Sequence, residues 1–441
     1  MQDFLLEESH DTNLQPKLRK SKFANNSLLP ETPQQAFDAL VLEANLRQSL
    51  VTVRSLGRHG LNVAALETFD RVPAFSSRWC QRAFVCPTDG SSEAFLNYLE
   101  QILDRTRVKV LITSSDSTAA LLCMYRERLE RRASIALARE PALGIALNKE
   151  QTLEIARRLG LGIPRSMHVK TLDEVEAAIQ YVGLPAVVKP VQSWVWSEGQ
   201  SIKLSCVLVT TLDEARYAVE ELTCQGQGVA ILFQQYLSGR REAVSFLYAQ
   251  GQFYARFAQW ARRTVPQLGG TSVLRQSIAI PPDIDDQAER LVREIELEGY
   301  SEVEFRRDSD GNPYLMEINP RLSASVEIAV RAGVDFPYLL YQWANGDQLT
   351  PLTGYRVGKW MRHLGGDIAT TLEAVQNSGR PGMPSPTRAS FDFFVSCFTP
   401  IRYDYLDLRD PLPASVATVE SARYWGGRIG KWLVKQSRAL R

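Results

Sequence analysis

The sequence predicts a parallel α/β unit followed by an α+β unit, and three observations point to it. Residues 36–133 alternate apolar runs with helical stretches, the pattern of a doubly wound parallel sheet. Residues 148–233 place capped helices beside strand-like runs. From Glu242 to Ile280 the chain is strand-rich, and an Asp310-Gly311 hairpin signal follows a helical stretch at Asp283–Glu298.

Ala39-Leu40-Val41-Leu42 reads as a short buried strand, because an unbroken apolar run suits a strand covered on both faces. A helix from about Gln48 closes at Gly60, which can take a left-handed helix end. Asn62–Leu66 and Val108–Ile112 are the next strands. Ser114-Ser115-Asp116 reads as a strand-end loop and helix cap. Sheets of this kind bind ligands at the carboxyl ends of their strands. No Gly-x-Gly-x-x-Gly occurs, so a dinucleotide site is not supported. Asn148 with Gln151 caps a helix over 148–160. Thr171 with Glu174 and Thr211 with Glu214 make two capping boxes, each beside a strand, Ala186–Val188 and Ala230–Phe233.

Composition narrows the function classes. The 441 residues carry 51 Lys+Arg against 50 Asp+Glu, so neither a strongly basic nucleic-acid binder nor an acidic solvating chain fits. No apolar run nears the ~20 residues that span a bilayer. Residues 1–20 hold four acids and no apolar core of a secretion signal. The six cysteines are scattered without a Cys-x-x-Cys pair, as in a reduced cytoplasmic chain.

Ser301–Arg321 carries the most chemistry. With Asp310-Gly311 as a two-residue turn, paired positions sum to 621, so Glu304 opposes Glu317 and Glu302 opposes Asn319. Opposed side chains have Cβ atoms ~4.5–5.5 Å apart, where two carboxylates repel unless a cation sits between them. A hard divalent cation with oxygen ligands is the simplest such cation; an acidic hairpin with solvated side chains is the plainer alternative. Lys189 ends the apolar run Ala186–Val188, and the loop Gln192–Gln200 separates it from Lys203. Two lysines flanking a loop can hold polyphosphate oxygens, although Lys203 also suits an ordinary hairpin. Phe233–Gly239 is an extended segment ending in a glycine turn, with Glu242 just beyond. Such a segment can offer backbone groups to a purine edge and a carboxylate to a ribose.

In this order the residues resemble the ATP-grasp superfamily, in its carboxylate–amine ligase branch. The resemblance runs from about Ala39 to Asn345 on Arg54–Gly60, Asn148-Lys149, Val188-Lys189-Pro190, Gln234–Gly239 and, most characteristically, Met316-Glu317-Ile318-Asn319-Pro320-Arg321. It implies a biotin-carboxylase-like N-terminal α/β domain, a small lid and a C-terminal subdomain carrying the metal ligands. The expected layout is a polar arm at 1–35, the α/β domain at 36–145, the ATP-grasp core at 146–345 with its lid about 165–237, and an extension at 346–441. By the same resemblance Lys149 and Lys189 contact ATP phosphates, with Lys203 a further candidate. Gln235, Tyr236 and Leu237 hold adenine, and Glu242 holds ribose. Glu304, Glu317 and Asn319 bind Mg²⁺ or Mn²⁺. Arg321 stands at the acyl-phosphate site, and Arg275 is a candidate clamp for the substrate carboxylate. Two departures stand out. The loop 192–200, with Trp194 and Trp196, lacks the glycine-dense pattern of better-known members. Ala324 stands where some bicarbonate-using members carry an arginine.

The implied reaction activates a small carboxylic acid as an acyl phosphate and couples it to an amine. It needs positive charge rather than a side-chain nucleophile, in keeping with four scattered histidines and no Walker A motif. The rival readings are an ATP-grasp carboxylase or phosphotransferase, and a nucleotide-binding protein without turnover. The tail 421–441 holds six Arg and Lys, no acid, and Trp425, Ile429, Trp432, Leu433 and Leu440 near helical spacing. A terminal helix packing its Trp face on the body is favoured over peripheral contact with the inner membrane face. The expected location is the cytoplasm, and no nucleic-acid partner is expected.

Overall fold

The structure is a computed structural model that describes residues 35–87, 91–191, 194–197, 200–204, 206–224, 230–267, 269–380 and 382–422. The N-terminal arm 1–34 and the tail from 423 onward, to which the membrane alternative belongs, lie outside the described residues.

Five parallel strands form the first sheet: β1 (Ala36–Val41), β2 (Val63–Glu67), β3 (Cys80–Val85), β4 (Arg107–Ile112) and β5 (Ser134–Ile135), in the order β3-β2-β1-β4-β5. Its central strands are apolar on both faces because helices cover both. α1 (Arg47–Arg58) packs on one side with Val53 and Leu56, and α2 (Ser92–Arg105) on the other with Leu99 and Ile102. α3 (Asp116–Met124) follows β4, and its cap is Ser115, whose Oγ accepts from Thr118 N at 3.2 Å. α4 (Arg126–Leu129) precedes β5, and α5 (Ala142–Leu147) and α6 (Lys149–Arg158) lead out. Asn148 caps α6 through the amides of Glu150 and Gln151.

The second sheet is antiparallel, with order β10-β7-β11-β6: β6 (Ser166–Val169), β7 (Ala186–Pro190), β10 (Val207–Val209) and β11 (Ile231–Gln235). Helices α7 (Val175–Val182) and α8 (Leu212–Cys224) cover one face, packing Val175, Ala178, Ala215 and Val219 on Val188 and Phe233. A separate hairpin, β8 (Trp194–Ser197) with β9 (Gln200–Lys203), follows β7 and pairs Trp194 with Lys203. Of the two expected capping boxes one forms in part, its Glu closing one residue before the cap. Thr211 Oγ1 accepts from Glu214 N at 3.2 Å, and Glu214 closes back onto Thr210 N at 2.8 Å. Thr171 makes no such cap; Glu174 accepts from Lys170 N at 2.6 Å, and a 3-10 turn over Leu172–Glu174 takes up the start.

The third sheet has seven strands in the order β16-β15-β12-β13-β14-β17-β18: β12 (Arg241–Ala249), β13 (Gln252–Val265), β14 (Thr271–Ile278), β15 (Gly299–Arg307), β16 (Pro313–Asn319), β17 (Trp360–Arg362) and β18 (Arg402–Tyr403). Alternation divides its faces. Val244, Phe246, Val303 and Phe305 pack on α9 (Pro282–Ile295) through Ile284, Ala288 and Leu291. Leu247, Phe257 and Tyr300 turn to the other face, toward α10 (Glu327–Ala332), α11 (Phe336–Asn345) and the α1 side of the first sheet. α12 (Leu364–Gln376) and α13 (Pro386–Cys397) follow, and residues 412–422 are helical. No described helix is long and apolar enough to cross a membrane.

Candidate active site

The hairpin of β15 and β16 decides which acids meet. Glu304 pairs with Glu317 and Glu302 with Asn319, as the 621 sum predicts. The route to that register differs from the expected two-residue turn. Nearer the loop, Phe305 pairs with Leu315 and Arg307 with Pro313, a sum of 620. Asp308 and Asn312 close the loop, with Asp308 N donating to Asn312 O at 3.0 Å. A bulge at Met316 adds the missing residue and restores 621 at Glu304. Without that bulge Glu304 would oppose Met316 and the carboxylates would lie on opposite faces.

Around this pair the sheet gathers cations. Arg241 starts β12, and its Nε donates to Glu304 Oε2 at 2.9 Å while its Nη2 reaches the same oxygen. Asn319 Nδ2 donates to Glu304 Oε1 at 3.2 Å. Lys149, at the start of α6, places Nζ 3.7 Å from Glu317 Oε2. Glu302 is buried below and accepts from Gln259 Nε2 at 2.8 Å, Ser323 Oγ at 2.9 Å, and Ser245 and Ser325 Oγ at 3.3 Å each. Burial pushes the Glu304 carboxyl up to about 7; Arg241 opposes that rise and Glu317 adds to it. Burial would raise Glu317 too, but Lys149, Arg241, Lys189 and Arg321 together hold it below the usual carboxylate range. One carboxylate is thus kept ionised by surrounding cations and its neighbour is held closer to neutrality.

Lys189 is buried on β7 of the second sheet, opposite Leu232. Burial pushes its ammonium down to about 8, against the opposing influence of Cys206 and with Lys149 adding to the fall. Arg321 follows β16 and reaches back to the first sheet, where Nε and Nη2 grip Asp116 Oδ1 and Oδ2 at 2.9 and 3.2 Å. Asp116 opens α3 at the carboxyl end of β4, beside the point where strand order reverses between β1 and β4. There Glu43 takes a left-handed φ of 49° and is held by Thr113 Oγ1 at 2.9 Å, Ser114 N at 3.0 Å and Ser115 Oγ at 3.2 Å.

Gln235, Tyr236 and Leu237 connect β11 to β12 and so join the second sheet to the third. Gln235 N donates to Arg165 O at 2.9 Å, Arg306 stacks 5.1 Å over the Tyr236 ring, and Leu237 is buried. Lys203 lies in β9, and its side chain is outside what the structure describes.

Two expected site residues are placed differently from the reading above. Glu242 alternates away from the Glu304 face and accepts from Arg307 Nε at 2.6 Å, in a network that includes Asp283 of α9. Arg275 does not present an open carboxylate clamp. It is fully buried, and both of its terminal nitrogens already hold Asp404, which also binds Arg47 of α1. The carboxylate that Arg275 meets is the chain's own, supplied from a segment too distant in sequence for any local pattern to indicate.

Two residues that sequence reasoning did not assign join the site, Arg241 and Glu302. The pairing arithmetic could have found Glu302, which shares a face with Glu304, whereas Arg241 joins only because β12 pairs with β15. Among the described residues no three His, Cys, Asp or Glu side chains form a metal set. Glu304, Glu317 and the Asn319 amide nevertheless present an all-oxygen donor set of the kind a hard divalent cation takes, once the amide is turned to offer Oδ1.

The family described as "ATP-grasp in the biosynthetic pathway with Ter operon" matches residues 208–361. The D-alanine–D-alanine ligase of Chromohalobacter salexigens is 27% identical over 214 residues, 45% of this chain and 64% of the relative. The carbamoyl phosphate synthase large chain of Methanospirillum hungatei JF-1 is 24% identical over 256 residues, 56% of this chain. The chain covers only 21% of that relative's length. In fold it is similar to the L-amino acid ligase from Bacillus licheniformis, with a TM-score of 0.54, 19% identity, and 72% of this chain and 76% of that one covered. Matched family segment, sheet architecture and paired glutamates agree: the chain has an ATP-grasp fold, and its residues 208–361 match an ATP-grasp family.

Proposed function

We propose that the chain uses ATP and Mg²⁺ (or Mn²⁺) to activate a small carboxylic acid as an acyl phosphate, then joins it to an amine, releasing ADP and phosphate. The observation that carries this reading is the Glu304–Glu317 pair, held in register with Asn319 beside it and ringed by Lys149, Lys189, Arg241 and Arg321. Bound there, the cation would neutralise phosphate charge and orient the polyphosphate. Glu304, Glu317 and Asn319 would hold it. Lys149 and Lys189 supply positive charge for phosphate oxygens from α6 and from the second sheet. The Gln235–Leu237 connection offers an extended backbone edge for a base.

In the first step a substrate carboxylate oxygen bonds to the γ-phosphorus as the bond to ADP breaks. In the second, the amine nitrogen bonds to the acyl carbon, loses a proton and expels phosphate. Arg321 is oriented for the developing charge by its bidentate grip on Asp116. The relatives support the chemistry in kind: D-alanine–D-alanine ligase and L-amino acid ligase are ligases by name. Free cysteines without a disulfide among the described residues fit a cytoplasmic setting.

The test is ADP release with pooled carboxylic acids and amino acids, followed by mass spectrometry of the products. Dependence on both an acid and an amine is expected, with an amide formed. Turnover in which bicarbonate replaces the organic acid, or in which no amine is consumed, defeats the reading.

A further inference from the structure

α12 and α13 lie side by side and stand proud of the third sheet. The inner side of α12 is anchored: Thr370 Oγ1 donates to Thr264 O at 2.6 Å, and Asp367 is buried against Arg362 and Arg263. On α13, Ala389 and Ser396 are buried. Between polar positions, an apolar set on each helix stands in water. Leu364, Ile368, Leu372 and Val375 form a stripe on α12 at helical spacing, and Phe391, Phe394, Val395 and Phe398 form another along α13.

The size of this face exceeds what a solitary chain ordinarily shows. Phe391, Phe394 and Phe398 are 66%, 62% and 75% exposed. At ~150–250 Å² per aromatic side chain, three rings alone leave about 300–500 Å² of apolar surface in water. That equals the largest patch on a typical monomer, ~300–600 Å². Five aliphatic side chains, each about two-fifths exposed or more, carry the total toward the ~800 Å² per partner of a standard protein interface.

Charge chooses among occupants. Neither helix carries a lysine, and Arg388 is the one arginine on the two helices. Glu373 accepts from Gln267 N, Asp392 pairs with Arg262, and Arg380 in the connecting loop pairs with Glu214 of α8. A helix that lies on an anionic membrane is rich in Lys and Arg on its polar side, and this face is nearly neutral. A neutral, apolar, pre-anchored pair of stripes is complementary to itself, as a two-fold contact requires.

We propose that the outward face of the α12–α13 hairpin docks a second copy of this chain, giving a two-fold dimer. Light scattering on a size-exclusion column, with intact protein from low to high micromolar concentration, tests it. Twice the 49.6 kDa of one chain is expected. Phe394→Glu on one helix and Leu372→Asp on the other should each abolish the dimer. Both sites are exposed, so the monomeric variants should unfold like the parent at a concentration low enough for the parent to be monomeric, and at a lower temperature than the parent where it is dimeric. A parent that stays monomeric throughout overturns the proposal, whether the face then binds the chain's own 423–441 segment or anionic vesicles. A dimer that survives both substitutions overturns it as well.

Discussion

Arg241 grips Glu304: its Nε donates to Oε2 at 2.9 Å, on the face where Glu304 looks across the register at Glu317. The arginine thereby supplies one of the positive charges that let two carboxylates share a buried site.

Replacing Arg241 should therefore expose the repulsion. Arg241→Met is expected to lower stability by about 3 kcal/mol, the scale for removing one partner of a largely buried ion pair. Mg²⁺ should then raise the melting temperature of the variant more than that of the parent. An equal shift in both proteins would show that the cation does not sit between these acids.

Glu317→Gln removes the repulsion from the other side. Without metal the variant should be less stable than the parent at neutral pH, since Lys149, Arg241, Lys189 and Arg321 all favour the ionised Glu317. Titration calorimetry with the Mg²⁺ complex of ATP should show affinity reduced by ~10–100-fold, the range seen when a metal site loses a supporting contact. Unchanged affinity removes Glu317 from the metal set.

Lys189 makes the site pH-dependent in a defined direction. Its ammonium titrates near 8 in the free protein, and bound polyphosphate favours the protonated form. Lys189 thus leaves nucleotide affinity level up to about pH 8 and lowers it by up to tenfold per unit above, while protonation of Glu304, pushed up to about 7, weakens metal-dependent binding on the acid side. Lys189→Arg, charged throughout this range, should flatten the profile even where it binds more weakly. A parent profile that stays level from pH 7 to about 10 would contradict the shift.

Gly239 sits where the second sheet hands over to the third. Its amide donates to Arg307 O at 3.0 Å, and a Cβ there would stand 2.5 Å from that same oxygen. Gly239→Ala should push β12 from β15 and cost about 1–3 kcal/mol, with weaker nucleotide binding as the connecting segment shifts. Urea unfolding and nucleotide titration measure the two effects separately.

Asp404 compensates two arginines, one from α1 and one from β14. Asp404→Ala should cost about 3–5 kcal/mol because Arg275 has no access to water once unpaired. A loss below about 1 kcal/mol would mean that solvent reaches the site.

Much of the architecture was legible because it is local. Apolar runs between capped helices marked β1, β2, β4, β7 and β11, and Ser115 and Asn148 cap where their side chains predicted. The Glu304–Glu317 register was legible from a turn whose length was misread, since the bulge at Met316 offset the error. Arg275 was not legible: an arginine in the middle of a strand looks the same whether it meets a substrate or Asp404, 129 residues on.

By itself the sequence determined the elements, their caps and the pairing of one hairpin, because propensity, periodicity and turn chemistry act over a few residues. Tertiary structure alone decided which charges face each other. Arg241 reached Glu304 only once β12 paired with β15, Asp404 closed on Arg275 only once the end of the third sheet formed, and Arg321 reached Asp116 only once two sheets were packed. The near balance of 51 basic and 50 acidic residues is consistent with that pairing but says nothing of its partners. Coulomb attraction in a buried site depends on distance through space, which composition does not encode.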